Sequence, residues 1–324
     1  MTLTKHDQGI YLEDSIIESL ENTDAIIFDC DGVLIDITKS YDLTIDKTTK
    51  YVLKNFSNID DAIDIDSKII DGFKSTGGFN DEVDLAYAAI ISVFVAKKIQ
   101  RNQRDLIFDV IKNCDTSGIV SAETYLKTLS NFEDIKNKLS YPGGHHNNPL
   151  YKIFDQLFYG PELYEKLFNS KSKFSEPGLI ENDVVIVNDS LISKLKSKYK
   201  SNVAIVTGRG KESVSYSLKH MLKEFDVENS AFLEDESRSL AKPNPASLIR
   251  SIKGMKSDHS LYLGDSMEDL IMAKKASEMG QTTTFCGIIG TSKDPAQKLE
   301  LFEKNGAQIV LDSIEFLPKV LNLE

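Results

Sequence analysis

From Val187 to the end of the chain, short apolar segments alternate with amphipathic helical segments in strict order. The apolar segments have the length and the β-branched and aromatic residues of strands, and they read "VAIVTG", "SAFLE", "SLYLGD", "TTTFCGII" and "AQIVLD". This alternation is typical of a parallel sheet covered by helices on both faces. The sequence therefore predicts an α/β fold with three layers.

One more strand of this kind is expected at Ala25–Phe28, well before the others. The preceding segment, "YLEDSIIESLENTD", has apolar residues at helical spacing and predicts a short helix over residues 11–24. From residue 38 to 178 the pattern is helical and shows no convincing strand. We therefore expect a sheet domain formed by residues 1–37 and 179–324, with an α-helical domain, residues 38–178, inserted after the first strand.

Chemistry-bearing residues follow the predicted strands. Parallel sheets bind ligands at the carboxyl ends of their strands, so the residues just after each strand are the candidates for a site. In chain order these candidates are Asp29, Asp31, Thr207, Gly208, Arg209, Lys242 at the start of the helix in "LAKPNP", Asp265, Ser266 and Asp269. All of them could converge on one crevice.

The stretch "DCDG" places Asp29 and Asp31 two residues apart, so in extended geometry their carboxylates would point the same way and repel. One interpretation is a solvated turn, since Asp and Gly are common in turns. The other is a site for a hard cation, because Mg²⁺ prefers carboxylate oxygens and would neutralise the repulsion.

The other candidates also have simple structural interpretations. Thr207 could cap the following helix, Asp265 or Ser266 could cap theirs, and Lys242 could be a surface lysine before a proline. For any one of these residues alone, the structural interpretation is the more common one. Their joint occurrence in this order favours a single functional site.

Four segments, "DCDGV", "VTGR", "AKPNP" and "GDSMED", resemble the motifs of the haloacid dehalogenase (HAD) superfamily of phosphotransferases. The helical block lies between the first and second motifs, where subfamily I members carry a helical type 1 cap. The resemblance implies a Rossmann-like core and a cap that closes over a Mg²⁺ site.

The chemistry of phosphate esters assigns different work to the paired acids. Asp29 would be the nucleophile and form an aspartyl-phosphate, which divides a slow hydrolysis into two easier steps. Asp31 would protonate the leaving alkoxide and then deprotonate the attacking water. Mg²⁺ would be bound by Asp29, the backbone carbonyl of Asp31, and Asp265, with Asp269 acting through water.

The phosphoryl oxygens need positive or N–H partners as charge develops on them. Lys242 is expected to bridge phosphate and nucleophile, and Thr207 with the N–H of Gly208 is expected to donate hydrogen bonds. Arg209 would either contact phosphate or pair with an acid on the cap. Cys30, between the two acids, is expected to point away and pack.

The helical block is longer than the usual type 1 cap, and two of its loops stand out. "KSTGGFNDEVDL" places Gly77, Gly78 and Asn80 where a type 1 cap has its specificity loop, so these residues would either contact substrate or form a simple turn. "SYPGGHHNNP" carries His145 and His146. We favour a solvated loop there over a metal site, because no third ligand at suitable spacing follows.

Composition limits the partners of the protein. The 50 acidic and 38 basic residues give a net charge of −12, which argues against a general nucleic-acid binder and against affinity for an anionic membrane. The 3 cysteines are far apart and indicate neither a disulfide framework nor a cysteine zinc site. The chain shows neither a signal peptide nor an apolar run of ~18 residues, so a soluble cytoplasmic protein is expected.

The sequence thus predicts a Mg²⁺-dependent phosphatase that hydrolyses a small phosphorylated metabolite. The alternative is a phosphomutase of the β-phosphoglucomutase type, which uses the same four motifs. A dehalogenase is disfavoured because that chemistry lacks the second acid, Asp31. A purely binding role is disfavoured because all the charged motif residues are present. Neither the particular ester nor the oligomeric state follows from the sequence.

Overall fold

A computed structural model describes residues 2–79, 81–143 and 148–323 of the chain. Its strands are β1 (Thr4–Asp7), β2 (Ile10–Leu12), β3 (Ala25–Phe28), β4 (Ile35–Asp36), β5 (Val184–Val185), β6 (Val203–Thr207), β7 (Ala231–Phe232), β8 (Ser260–Gly264), β9 (Thr283–Ile288) and β10 (Ile309–Leu311).

The helices of the first half are α1 (Ile16–Glu21), α2 (Thr38–Ser57), α3 (Ser67–Ser75), α4 (Glu82–Lys98), α5 (Gln103–Asn113), α6 (Ile119–Leu129), α7 (Glu133–Leu139) and α8 (Pro149–Phe168). Those of the second half are α9 (Asp189–Tyr199), α10 (Lys211–Leu218), α11 (Ala246–Gly254), α12 (Met267–Glu278), α13 (Pro295–Lys304) and α14 (Leu317–Val320). Across the described residues, every helix is too short or too polar to cross a bilayer.

The described chain divides into two compact units. One unit ends at Thr38 and resumes at Asp183, and the other runs from Lys39 to Asn182. These limits differ from the sequence-based boundaries after residues 37 and 178, most of all at the return to the first unit. That the second unit serves as a cap stays a prediction.

The first unit is built on an eight-stranded sheet in the order β1-β2-β10-β9-β8-β3-β6-β7. The strands from β10 to β7 are parallel, as predicted. The four residues of β3 are all buried, and they alternate between two apolar clusters: Ile26 and Phe28 belong to one, Ala25 and Ile27 to the other. Helices therefore cover both faces of the sheet, and the predicted three-layer α/β fold is confirmed.

The N-terminal edge of this sheet differs from the prediction. Tyr11 and Leu12 lie in β2, which pairs antiparallel with both β1 and β10, and helix α1 begins only at Ile16. The predicted helix over residues 11–24 was therefore wrong over residues 11–15 and 22–24, since α1 ends at Glu21. Ile10 and Leu12 are buried and Tyr11 between them is half-buried, which is the two-residue period of a strand. Three residues are too few for this period to be recognised in a sequence.

The second unit is a helical bundle, α3 to α8 with most of α2, around α4. Twelve of the seventeen residues of α4 are buried, so this helix is the centre of the bundle. The Asp81 side chain accepts from the N–H of Val83 and caps its start. Helix α8 bends at Gly160, where φ is 72° and an added Cβ would lie 2.3 Å from the nitrogen of Gly178. That close approach fixes the bend.

Candidate active site

The first residue after β3 is Asp29, and the sheet holds it firmly. Its backbone N–H donates to the carbonyl of Leu263 in β8 at 2.8 Å, which continues the parallel ladder one residue beyond the strand. Its side chain is 8% exposed. A carboxylate this deeply buried must have charged or hydrogen-bonding partners.

Lys242 supplies that partner. Its Nζ lies 2.8 Å from Oδ1 of Asp29 and 2.7 Å from Oδ1 of Asp269, and its side chain is itself 9% exposed. Burial lowers the pKa of an ammonium, but the two carboxylates outweigh that effect and raise the pKa of Lys242 above its ordinary value. The two carboxylates thus favour the charged form of the lysine. Lys242 lies in the turn before α11, four residues ahead of the first residue of that helix. The sequence had predicted that it would begin the helix.

Asp269 is fully buried and held at both oxygens. Oδ1 accepts from the Tyr262 hydroxyl at 2.7 Å as well as from Lys242, and Oδ2 accepts from the N–H and the hydroxyl of Ser266 at 3.1 and 2.7 Å. Ser266 in turn accepts from the N–H of Asp269, so the two residues form a capping box at the start of α12. Burial would raise the pKa of Asp269, but Lys242 and these hydrogen bonds lower it below its ordinary value.

Asp265, the first residue after β8, lies beside the turn that follows Asp29. An added Cβ on Gly32, where φ is +71°, would lie 2.4 Å from Oδ2 of Asp265, so only glycine fits there. Lys298 of α13 donates to the same oxygen at 2.9 Å. The site thus brings a second cation to its carboxylates.

Three carboxylates, those of Asp29, Asp265 and Asp269, each offer an oxygen within 4.8 Å of the others. Burial raises the pKa of Asp29 above its ordinary value, Lys242 lowers it in part, and the neighbouring carboxylates raise it further. Hard oxygen donors at this spacing, with too little positive charge to balance them, fit Mg²⁺. Asp29 and Asp265 fit as direct ligands, whereas protein donors already occupy both oxygens of Asp269.

The second motif lies at the end of the neighbouring strand. Thr207 is the last residue of β6 and is buried, and its hydroxyl accepts from the N–H of Arg209 at 3.3 Å. An added Cβ on Gly208 would meet no atom within 4 Å among the described residues, so packing does not demand glycine there. Open space beside the Gly208 backbone is what an approaching ligand requires.

Arg209 contacts two acids and a serine of its own unit, and its contact with phosphate stays a prediction. Its Nε lies 2.6 Å from Oδ1 of Asp31, and its Nη1 donates to Oδ2 of Asp183 at 2.9 Å and to the hydroxyl of Ser217 at 3.0 Å. The expectation was a contact with phosphate or with an acid on the cap. Asp31 is a residue of the first motif, and Asp183 belongs to the same unit as Arg209.

Sequence reasoning missed several residues of this region, namely Asp183, Ser217, Tyr262, Thr291 and Lys298. Only Thr291 could have been found from the sequence, because it follows the predicted strand β9 just as Asp265 follows β8. In the structure its hydroxyl donates to the carbonyl of Gly32 at 3.0 Å. Lys298 lies one turn into the helix after that loop. The other three carry no sequence signal that separates them from structural residues. Cys30 is buried in the apolar cluster that contains Phe28.

In the helical unit, the structure gives Gly78 a packing role. An added Cβ would lie 2.4 Å from the carbonyl oxygen of Asp115 and 2.5 Å from the nitrogen of Gly118. Gly77 has φ of +76° in the preceding turn. Asn80, His145 and His146 lie outside the described residues. The substrate contacts of Gly77, Gly78 and Asn80 stay predictions.

Gly78→Ala is therefore expected to destabilise the helical unit by about 1–3 kcal/mol, because the new Cβ would overlap backbone atoms that cannot rotate away. The matched control is Gly72→Ala in α3, where the three atoms nearest to the added Cβ all belong to the side chain of Ile111, which can shift, and alanine favours the helix. Urea unfolding of the two variants measures the difference. An unchanged midpoint for Gly78→Ala would contradict the packing role.

Comparison with known proteins shows the family of this chain and supports its fold. A family model for haloacid dehalogenase-like hydrolases matches residues 115–278, half of the chain. The chain therefore belongs to the haloacid dehalogenase-like hydrolase family, as the resemblance of its motifs predicted.

Two solved structures show the same fold over nearly the whole chain. A structural-genomics target solved by X-ray crystallography has a TM-score of 0.67 at 19% identity, covering 93% of this chain and 98% of its own. A phosphatase from Thermococcus thioreducens has a TM-score of 0.57 at 22% identity, covering 87% of this chain and 99% of its own.

A curated relative is longer than this chain. The imidazoleglycerol-phosphate dehydratase of Phytophthora nicotianae is 22% identical over 295 residues, which are 89% of this chain and 50% of the relative. The chain thus spans about half the length of the curated relative that it matches.

Proposed function

We propose that the protein is a Mg²⁺-dependent phosphatase that hydrolyses a small phosphate monoester through an aspartyl-phosphate. The observation that carries this proposal is the buried group of Asp29, Lys242 and Asp269 with Asp265 beside it, at the carboxyl edge of the parallel sheet. Its cation-binding oxygens, fixed ammonium and buried carboxylate nucleophile match the needs of phosphoryl transfer.

Asp29 attacks the phosphorus in the first step. A bond forms between its carboxylate oxygen and phosphorus while the bond from phosphorus to the ester oxygen breaks. The leaving oxygen takes a proton from the carboxyl group of Asp31. Bound Mg²⁺ would lower the charge on the carboxylates and polarise the phosphoryl oxygens.

Water completes the reaction in the second step. It attacks the phosphorus of the aspartyl-phosphate and gives its proton to the carboxylate of Asp31, and the bond from phosphorus to Asp29 breaks. The products are inorganic phosphate and the original Asp29 carboxylate. Asp31 is suited to this exchange because its side chain is 26% exposed, whereas that of Asp29 is 8% exposed.

The remaining residues bind the phosphoryl group. Lys242 can neutralise a phosphoryl oxygen while it keeps its contact with Asp29, because it already lies against that carboxylate at 2.8 Å. The Thr207 hydroxyl and the Gly208 N–H would donate to a further oxygen. We further propose that the helical unit selects the ester, through the Gly77–Asn80 loop.

The test is a phosphate-release screen of small phosphate esters with Mg²⁺, run with and without EDTA. The panel includes imidazoleglycerol phosphate, after the name of the curated relative, together with phosphoglycolate, histidinol phosphate and sugar phosphates. Metal-dependent release from one or a few esters is expected. Transfer of phosphate between hydroxyls of a sugar without release would indicate the phosphomutase, and inactivity towards every ester and towards p-nitrophenyl phosphate would contradict both.

A further inference from the structure

Beside the proposed catalytic residues lie further polar and charged side chains, Arg209, Asp183 and Ser217, to which the reaction as written above gives no part. At their centre is Arg209, whose side chain is 3% exposed. Nε pairs with Asp31, and Nη1 donates to Asp183, whose side chain is also 3% exposed. Ser217 joins the two by accepting from Nη1 and donating to Oδ2 of Asp183 at 2.8 Å.

Stability alone is a weak reason for this arrangement. Removing the guanidinium of Arg209 and the carboxylate of Asp183 from water costs several kcal/mol per ion, and apolar groups of the same size often serve the fold as well. A buried Arg between carboxylates is instead an orienting device, because the planar guanidinium donates in fixed directions. What Arg209 orients is the acid that the proposed reaction uses for proton transfer.

We infer that Arg209, anchored by Asp183 and Ser217, is a positioning residue that holds the Asp31 carboxyl in place for proton transfer. This inference rests on the proposed function. It assigns Arg209 to the acid and base step, not to the binding of phosphate as the sequence suggested.

The backbone fixes both ends of this link. Asp31 forms an isolated bridge with Ile35, and the N–H of Gly32 donates to the carbonyl of Ile35 at 2.8 Å. Ile35 begins β4, and β4 pairs with β5, which follows Asp183 directly. Asp31 and Asp183 are therefore both attached to the ladder of β4 and β5, and the guanidinium of Arg209 links their side chains.

A group that positions the acid matters most when the leaving group needs a proton. Phenoxide is a poor leaving group and p-nitrophenoxide is a good one, so phenol release depends more on Asp31 than p-nitrophenol release does. Both substrates carry the same phosphoryl group. A phosphate-binding role for Arg209 would therefore affect both equally.

The experiment measures single-turnover release of phenol and of p-nitrophenol, which isolates the first step from breakdown of the phosphoenzyme. The variants are Arg209→Lys, which keeps the charge but loses the two-directional geometry, and Asp183→Asn, which keeps Arg209 and weakens its anchor. We expect phenol release to fall about tenfold or more and p-nitrophenol release to fall less than about threefold. The control is Arg250→Lys, since Arg250 is 55% exposed and pairs with Glu236 on the surface.

Several results would overturn the inference. Equal losses on the two substrates would make Arg209 a phosphate-binding or general structural residue, and unchanged rates in both variants would leave it no role in the reaction. Thermal unfolding of each variant shows whether it is folded. If Arg209→Lys is unfolded, Asp183→Asn still tests the inference. A wild-type protein that releases neither phenol nor p-nitrophenol, and no phosphate from any ester of the screen above, would instead contradict the proposed function itself.

Discussion

Asp29→Asn is expected to lower phosphate release by about 10³-fold or more and to abolish any phosphoenzyme. The amide has no carboxylate oxygen to attack phosphorus, so the covalent step is lost and not merely slowed. The measurement is phosphate release at saturating ester, together with acid-quench trapping of a ³²P-labelled intermediate. Asp31→Asn provides the contrast: it should still be phosphorylated by an activated ester and then accumulate the intermediate.

The fold should survive this change. Burial and the nearby carboxylates raise the pKa of Asp29, which means that its ionised form lowers the stability of the folded protein. A neutral amide of the same shape removes this destabilisation. The Tm of Asp29→Asn should therefore fall little or rise. Asp189→Asn, which changes a carboxylate that is 83% exposed in the same unit, is the matched control and should leave activity unchanged. Normal turnover by Asp29→Asn would disprove the covalent mechanism.

Removal of divalent cations with excess EDTA is expected to lower turnover by about 100-fold or more, with recovery on addition of Mg²⁺. The reason is electrostatic: among the described residues, Lys242 and Lys298 pair with three carboxylates that lie within 4.8 Å of one another, and a bound phosphate ester adds further negative charge. Ca²⁺ should restore activity poorly, because its looser coordination misplaces the nucleophile.

A binding measurement makes this prediction independent of turnover. Mg²⁺ should raise the Tm of the wild-type protein by mass action, and Asp265→Asn should reduce that rise, since it removes a proposed ligand. Asp258→Asn, on the surface loop before β8, should retain it. Full activity in excess EDTA, or an equal Tm response in wild type and Asp265→Asn, would contradict a metal site at these residues.

The site shows which parts of a structure a sequence reveals. Asp29, Thr207 and Asp265 end or follow buried parallel strands, and that position alone brings them to one edge, so the pattern of strands was enough to group them. Lys242 does not follow a strand. Its place at the start of a predicted helix made it a candidate, but its role followed only from the resemblance, because its approach to Asp29 depends on the path of the turn before α11.

Arg209 shows where such reasoning stops. Its position after β6 was clear from the sequence, but the direction of its long side chain was not, since a guanidinium reaches several possible partners. Asp183 lies in a short segment with no periodic pattern, and Ser217 is one of several serines in α10. The helix prediction for Tyr11 and Leu12 was wrong for another reason. The strands that pair with them are β1, which was not recognised in the sequence, and β10, near the other end of the chain.

The pairing of β4 with β5 has a consequence for how this chain can vary. Asp36 and Val184 face each other across that antiparallel ladder, so the chain leaves the first unit and returns to it at neighbouring points. A turn of a few residues could close this gap. Insertions, deletions or exchange of the segment between the two strands then leave the register of the main sheet untouched. The gene can therefore acquire a different helical segment without rebuilding the sheet unit.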